Sequence, residues 1–176
     1  MHIIVPCYST YPTECSSVRQ KGPGVQAFSR DRQSDPSLRV LLVEDDDAVR
    51  DELTEGLSLR GVDVVSATRA AEAMALLRRD ECITVLVTDV RMPDGDGITL
   101  AEQVLRECDG ARAVEVIVLT GHATLDTIAE ADRLRISDLL RKPIRLAGLL
   151  AAIEKAHGGT IRRRRAQSTA HAAALA

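Results

Sequence analysis

The sequence predicts an α/β fold: a doubly wound, five-stranded parallel sheet in the order 2-1-3-4-5, with five helices. Three observations carry this expectation. Short apolar runs recur from residue 39 onward, and an amphipathic stretch at helical spacing follows each of them. Parallel strands need a crossover long enough for a helix, and these stretches supply one. The runs end in acids, a hydroxyl or a lysine, and open α/β sheets place their sites just outside the carboxyl ends of the strands.

The chain has 176 residues, 45% of them hydrophobic, and a net charge of -3. That is the length of one domain with room for flexible ends. The charge is too small to imply nucleic acid or a membrane surface as a partner. No apolar stretch approaches a membrane span. The first residues, Met-His-Ile-Ile-Val-Pro-Cys, lack a basic start and a long apolar run, so a signal peptide is not expected. Cys7, Cys15, Cys82 and Cys108 form no C-x-x-C pair and show no zinc spacing. A domain this apolar does not need disulfides, which suits a reducing cytosol. The only aromatics are Tyr8, Tyr11 and Phe28, so from Leu38 on the core must be built from Leu, Val, Ile and Ala.

Residues 1–37 hold four of the six prolines and sustain no period of 2 or 3.6, which reads as a disordered extension. A first strand, Val40 to Val43, ends in four acids, Glu44 to Asp47, with Asp46 or Asp47 expected to cap the helix that follows. Ala48, Val49, Leu53 and Leu57 recur at helical spacing up to Gly61. Val62 to Val65 is a second strand and Ala70 to Leu77 a second helix. Ile83 to Val87 is a third strand, leading to Asp89 and a Pro-Asp-Gly-Asp-Gly turn. Ile98 to Leu105 is a third helix. Val114 to Leu119 is a fourth strand ending at Thr120-Gly121-His122, with a more polar helix from Leu125 to Leu134. Ile136 to Leu140 is a short fifth strand that ends in Arg141-Lys142-Pro143. A fifth helix, Leu146 to Ala156, is closed by Gly158-Gly159. The expected domain therefore runs over 38–158, and 159–176 reads as a basic, Ala-rich tail whose end forms a frayed helix.

In the order 2-1-3-4-5, strands 1 and 3 are neighbours at the switch point, so Glu44, Asp45 and Asp89 converge on one crevice. Thr120 and Lys142 stand at the ends of strands 4 and 5. Clustered carboxylates repel and need a cation. An all-oxygen site that also meets phosphate suits Mg²⁺, which neutralises charge on a transferring phosphoryl group. Lys142 can clamp the same oxygens and Thr120 can donate to one of them. Asp89 is then the nucleophile, forming an acyl phosphate.

Four motifs carry a resemblance. They are Val-Leu-Leu-Val-Glu-Asp-Asp, Val-Thr-Asp-Val-Arg-Met-Pro-Asp-Gly-Asp-Gly, Val-Leu-Thr-Gly-His-Ala and Arg-Lys-Pro-Ile, in family order and at family-like spacing over Leu38 to Ala156. The chain resembles a response-regulator receiver domain of two-component signalling, which implies a flavodoxin-like sheet. The resemblance implies Asp89 as phosphoacceptor, Asp45 as direct metal ligand and Glu44 as its partner. It also implies a metal-binding backbone carbonyl from Arg91, Thr120 as the switch hydroxyl, Lys142 as the family lysine and a cis Lys142–Pro143 bond. A histidine kinase or histidine phosphotransfer protein would donate the phosphate. With no built-in DNA-binding domain, a stand-alone receiver in the cytoplasm would act on a downstream protein through the face of helix 4, strand 5 and helix 5.

Competing readings are weighed on the same residues. Asp94-Gly95-Asp96-Gly97 looks like the start of a calcium loop, but the fifth and twelfth positions would be Ile98 and Leu105, so it reads as a turn and cap. His122 reads as a surface residue at the start of helix 4, and also as a candidate for tuning acyl-phosphate hydrolysis. Gly121 leaves the phosphate open to water and phosphodonors. The run Arg162 to Arg165 reads as a solvated tail; as a nucleic-acid or lipid contact it lacks interleaved aromatics. An aspartyl-phosphate phosphohydrolase would need a second Asp where Arg91 stands, and a cap domain. An interaction module acting without phosphorylation is the other alternative, against which the intact acid set argues. One departure matters: the family usually carries Tyr or Phe three residues before the lysine, and here that residue is Leu139.

Overall fold

The computed structural model describes residues 37–93, 95–108 and 112–174. The extension expected to be disordered therefore lies, but for its last residue, outside the described residues. The elements are β1 (Arg39–Val43), α1 (Asp47–Ser58), β2 (Asp63–Ala67), α2 (Ala70–Arg79), β3 (Val85–Asp89), β4 (Arg91–Met92), β5 (Gly95–Asp96), α3 (Gly97–Glu107), β6 (Glu115–Thr120), α4 (Leu125–Leu134), β7 (Asp138–Arg141) and α5 (Leu146–Ala174). The main sheet is wholly parallel, in the order β2-β1-β3-β6-β7. With the small β4–β5 hairpin set aside, this is the 2-1-3-4-5 order expected of a flavodoxin-like sheet.

Successive strand residues point to opposite faces, and this chain uses both. From β1, Leu41 and Val43 enter one core layer with Met74 and Leu77 of α2 and Leu100, Ala101 and Val104 of α3. Val40 and Leu42 enter the other, with Leu53 and Leu57 of α1 and Leu149 and Ile153 of α5. Strands covered on both faces become continuous apolar runs, which is why β1 and β6 are legible as such. The edge strands β2 and β7 are only partly buried. Among the described residues, no aromatic ring contributes to either layer.

Local signals explain most boundaries. Asp46 caps α1, its side chain accepting from the backbone of Ala48 and Val49. Asp96 caps α3 through Ile98 N–H at 3.0 Å, so the turn-and-cap role stands for this residue. Thr124 caps α4. The Lys142–Pro143 peptide bond is cis.

One helix end departs from expectation. Gly158-Gly159 does not stop the fifth helix, and α5 continues to Ala174 through the segment expected to be a tail. A glycine inside a helix costs about 1 kcal/mol relative to alanine, so a compensating contact is required. At Gly159 a Cβ would lie 2.6 Å from the Glu115 Oε1 atom. The missing side chain lets the helix backbone close on a buried carboxylate of the sheet, and the tertiary contact overrides the local stop signal.

Candidate functional site

Asp89 is the last residue of β3, and its neighbour across the sheet is Leu119, one residue before Thr120. Glu44 and Asp45 follow β1, the strand on the other side of β3. The parallel register thus delivers three acids to one end of the sheet. Carboxylate oxygens of Glu44, Asp45 and Asp89 all lie within 4.8 Å of one another. From the loop after β7, Lys142 Nζ donates to Glu44 Oε2 at 2.7 Å and to Asp89 Oδ2 at 2.5 Å. The Lys142 backbone N–H donates to Thr120 O at 2.7 Å, joining the ends of β6 and β7. The Thr120 side chain is buried, and its Oγ1 accepts from His122 N–H at 3.1 Å.

Glu44 is 2% exposed. Burial pushes its carboxyl above the ordinary glutamate value, against the opposing hydrogen bond and charge of Lys142. A folded-state value above the unfolded one means that ionised Glu44 opposes folding at neutral pH. That cost is relieved as pH falls through the folded-state value. Glu44 is thus held beside two other acids at a cost in stability.

Three contacts hold the geometry from behind. Arg91 N–H donates to Asp89 Oδ1 at 3.2 Å, while the Arg91 side chain points to solvent. Thr88 Oγ1 donates to the Asp89 carbonyl at 3.1 Å. Arg50, on α1, donates from Nη1 to the Glu44 carbonyl at 3.1 Å and pairs through Nη2 with Asp47 at 2.5 Å. Arg50 escapes sequence reasoning because a lone arginine on an amphipathic helix looks like a solvated charge. Its only signal is a position two turns or less from the acid loop.

The chain matches the family model described as response regulator receiver domain over residues 40–154. The chain belongs to the response regulator receiver family. Curated relatives of this receiver include the transcriptional regulatory protein FixJ of Azorhizobium caulinodans. It is 39% identical over 125 residues, which cover 69% of this chain and 56% of that protein. The response regulator receiver protein CpdR of Brucella abortus is 34% identical over 117 residues, 66% of this chain and 94% of that one. Of the first curated relatives the receiver spans about half the length or less, from 24% to 56%. Among solved structures, the crystal structure of FixJ-N superposes with a TM-score of 0.62 at 29% identity, covering 69% of this chain and 94% of that one. A CheY-like receiver domain protein from Methanospirillum hungatei gives 0.63 at 25% identity, covering 70% and 96%. The receiver therefore sits in two-component signalling. Among its described residues, no helix is long and apolar enough to cross a membrane.

Proposed function

We propose that Asp89 accepts a phosphoryl group from a phosphohistidine on a sensor kinase or phosphotransfer protein. An Asp89 carboxylate oxygen attacks phosphorus, the P–N bond breaks and the imidazole leaves. The observation that carries this reading is Lys142 Nζ bridging Glu44 and Asp89 from a third strand end. An ammonium already seated against the acceptor oxygen is placed to hold phosphoryl oxygens as charge shifts onto them. Thr120, one residue beyond the sheet partner of Asp89, is the hydroxyl for another of those oxygens.

The donor set fits Mg²⁺. Three carboxylates share one crevice and a single ammonium offsets only part of their charge. Glu44, Asp45 and Asp89 would hold the ion with the Arg91 carbonyl, and the bound ion supplies charge neutralisation and a template for phosphate. The receiver acts in the cytoplasm, where ATP-dependent kinases can reach it. It signals by binding a downstream protein or by passing its phosphate on, and its phosphorylation and dephosphorylation chemistry serves signalling, not metabolic turnover.

The output face is formed by α4, β7 and the start of α5. Leu139, paired with Val118 of β6, is half-buried and packs with Leu134 and Ile136 against the first core layer. A leucine has no ring to turn inward, so the switch here works through smaller shifts and through surface charge. Asp132, Arg133, Arg135, Asp138, Arg141 and Arg145 stand on or beside this face, with Arg133 pairing with Glu130 at 2.9 Å and Lys155 with Asp138 at 3.3 Å. Saturation with beryllofluoride and Mg²⁺ is expected to shift backbone amide signals from α4 through Leu140. A spectrum changed only around Asp89 would exclude output through this face.

A further inference from the structure

The arginine run and the glycine pair are absorbed by neither the site nor the output face, yet both lie at one defined place. They sit at the end of the sheet away from Asp89, where β3 and β6 begin. Thr160 is fully buried, and its Oγ1 donates to the Thr84 carbonyl at 2.6 Å. His157 Nδ1 is 3.1 Å from Thr84 Oγ1. Arg163 pairs with Glu115 through Nε at 2.9 Å and Nη2 at 2.5 Å. The other oxygen of Glu115 accepts from Ser137 Oγ, just ahead of β7. Arg164 spreads its guanidinium over three backbone carbonyls: Ala113 at 3.0 Å, Ile83 at 3.0 Å and Glu81 at 3.3 Å.

Most of these groups answer needs that the receiver sheet leaves open; the Thr84 carbonyl already accepts from Glu115 N–H at 3.1 Å, and Thr160 adds a second bond to it. Strand starts carry backbone carbonyls that pair with no neighbouring strand, and buried ones require donors. An arginine fork presents several such donors from one planar group. Burial, and then the charge of Arg112, pull the Arg164 guanidinium below its ordinary pKa, so the seat is not free of cost. Glu115 is 8% exposed, and a buried carboxylate needs a cation and a hydrogen bond, which Arg163 and Ser137 provide.

We propose that residues 157–164 form a clasp that ties β3, β6 and the approach to β7 together at the end opposite the acids. On this reading the receiver unit of this chain runs to Arg164, ten residues beyond the family match at 154. Two of the four arginines in the run are then committed to the chain's own sheet and not to a nucleic acid or a lipid surface. The clasp does not depend on phosphorylation of Asp89.

The test uses the full chain with Arg163→Ala and Arg164→Ala combined, and Arg164→Lys alone as a milder variant. The double variant is expected to melt about 10 °C lower, as loss of buried polar partners predicts for a domain of this size. Amide exchange should quicken at least about tenfold in Val85–Val87 and Val116–Val118, while Mg²⁺-dependent phosphorylation of the folded protein keeps its rate. Should the double variant fail to fold, Arg164→Lys, which keeps the charge but loses the fork, is expected to melt lower by roughly half as much. Melting and exchange equal to wild type in both variants would overturn the clasp. So would wild-type binding to duplex DNA or anionic phosphatidylserine vesicles that the double variant loses with its stability unchanged.

Discussion

Lys142→Ala is expected to slow phosphorylation of Asp89 about 100-fold, the usual scale for removing one preorganised donor from developing oxyanion charge. The ammonium lies 2.7 Å from Glu44 and 2.5 Å from Asp89. Burial lowers its pKa, but the hydrogen bonds to Asp89 and Glu44 and the charges of both outweigh burial, and the net shift is upward. A lysine with a folded-state value above its unfolded one contributes stability in full below the unfolded value. That stability is lost only as pH rises through the folded-state value, so at neutral pH it is fully present. Its removal takes from Glu44 and Asp89 the cation they share. The metal-free variant is therefore expected to lose about 2 kcal/mol, less than a fully buried pair would cost, because the lysine is partly exposed. Added Mg²⁺ should restore much of the melting temperature by mass action without restoring the rate. Differential scanning fluorimetry with and without Mg²⁺, beside a phosphorylation time course, measures both. A variant that phosphorylates at the wild-type rate would remove Lys142 from the chemistry.

Gly97→Ala is expected to damage the site from behind. A Cβ there would lie 1.9 Å from the Asp89 carbonyl oxygen and 3.1 Å from Thr88 Oγ1, and the first of these is backbone that cannot swing away. The Gly97 N–H also donates to the Val90 carbonyl at 2.8 Å, so the turn cannot retreat without losing that bond. Overpacking of this kind costs about 3 kcal/mol, or roughly 10 °C in melting temperature for a domain of this size. What remains folded should phosphorylate poorly, because Asp89 is displaced at its own backbone. Gly148→Ala is the matched control: its Cβ meets nothing within 4 Å, and alanine is the better helix former. Thermal melts and phosphorylation yields of the two variants should diverge. Equal behaviour would show that the close approach at Gly97 is not needed.

Most of the fold is legible because strands buried on both faces, such as β1 and β6, leave uninterrupted apolar runs that end in polar residues. The site follows from the same pattern, since in a parallel sheet each such end comes to one edge. Strand limits are less legible: those of the half-exposed β2 and β7, and of the buried β3 and β6 as well, shift by one or two residues, because an apolar run marks burial and not the ends of the hydrogen-bonded ladder. The β4–β5 hairpin is too short to carry a period. The course of α5 is hidden for a different reason. Gly158-Gly159 is a stop by local propensity, and only the buried Glu115, distant in sequence, reveals it as a close approach. Arg163 and Arg164 look solvated for related reasons: Arg163 pairs with the same distant Glu115, and the partners of Arg164 are backbone carbonyls that no side-chain pattern shows. Arg50 is invisible because its acceptor, the Glu44 carbonyl, is likewise main chain.

Incubation of wild type and Asp89→Asn with acetyl phosphate and Mg²⁺, resolved on a Phos-tag gel, bears most directly on Asp89 as the phosphoacceptor. A retarded, Mg²⁺-dependent band is expected in wild type and not in Asp89→Asn. An equal band in both, or none in wild type under saturating donor and metal, would contradict phosphorylation at Asp89.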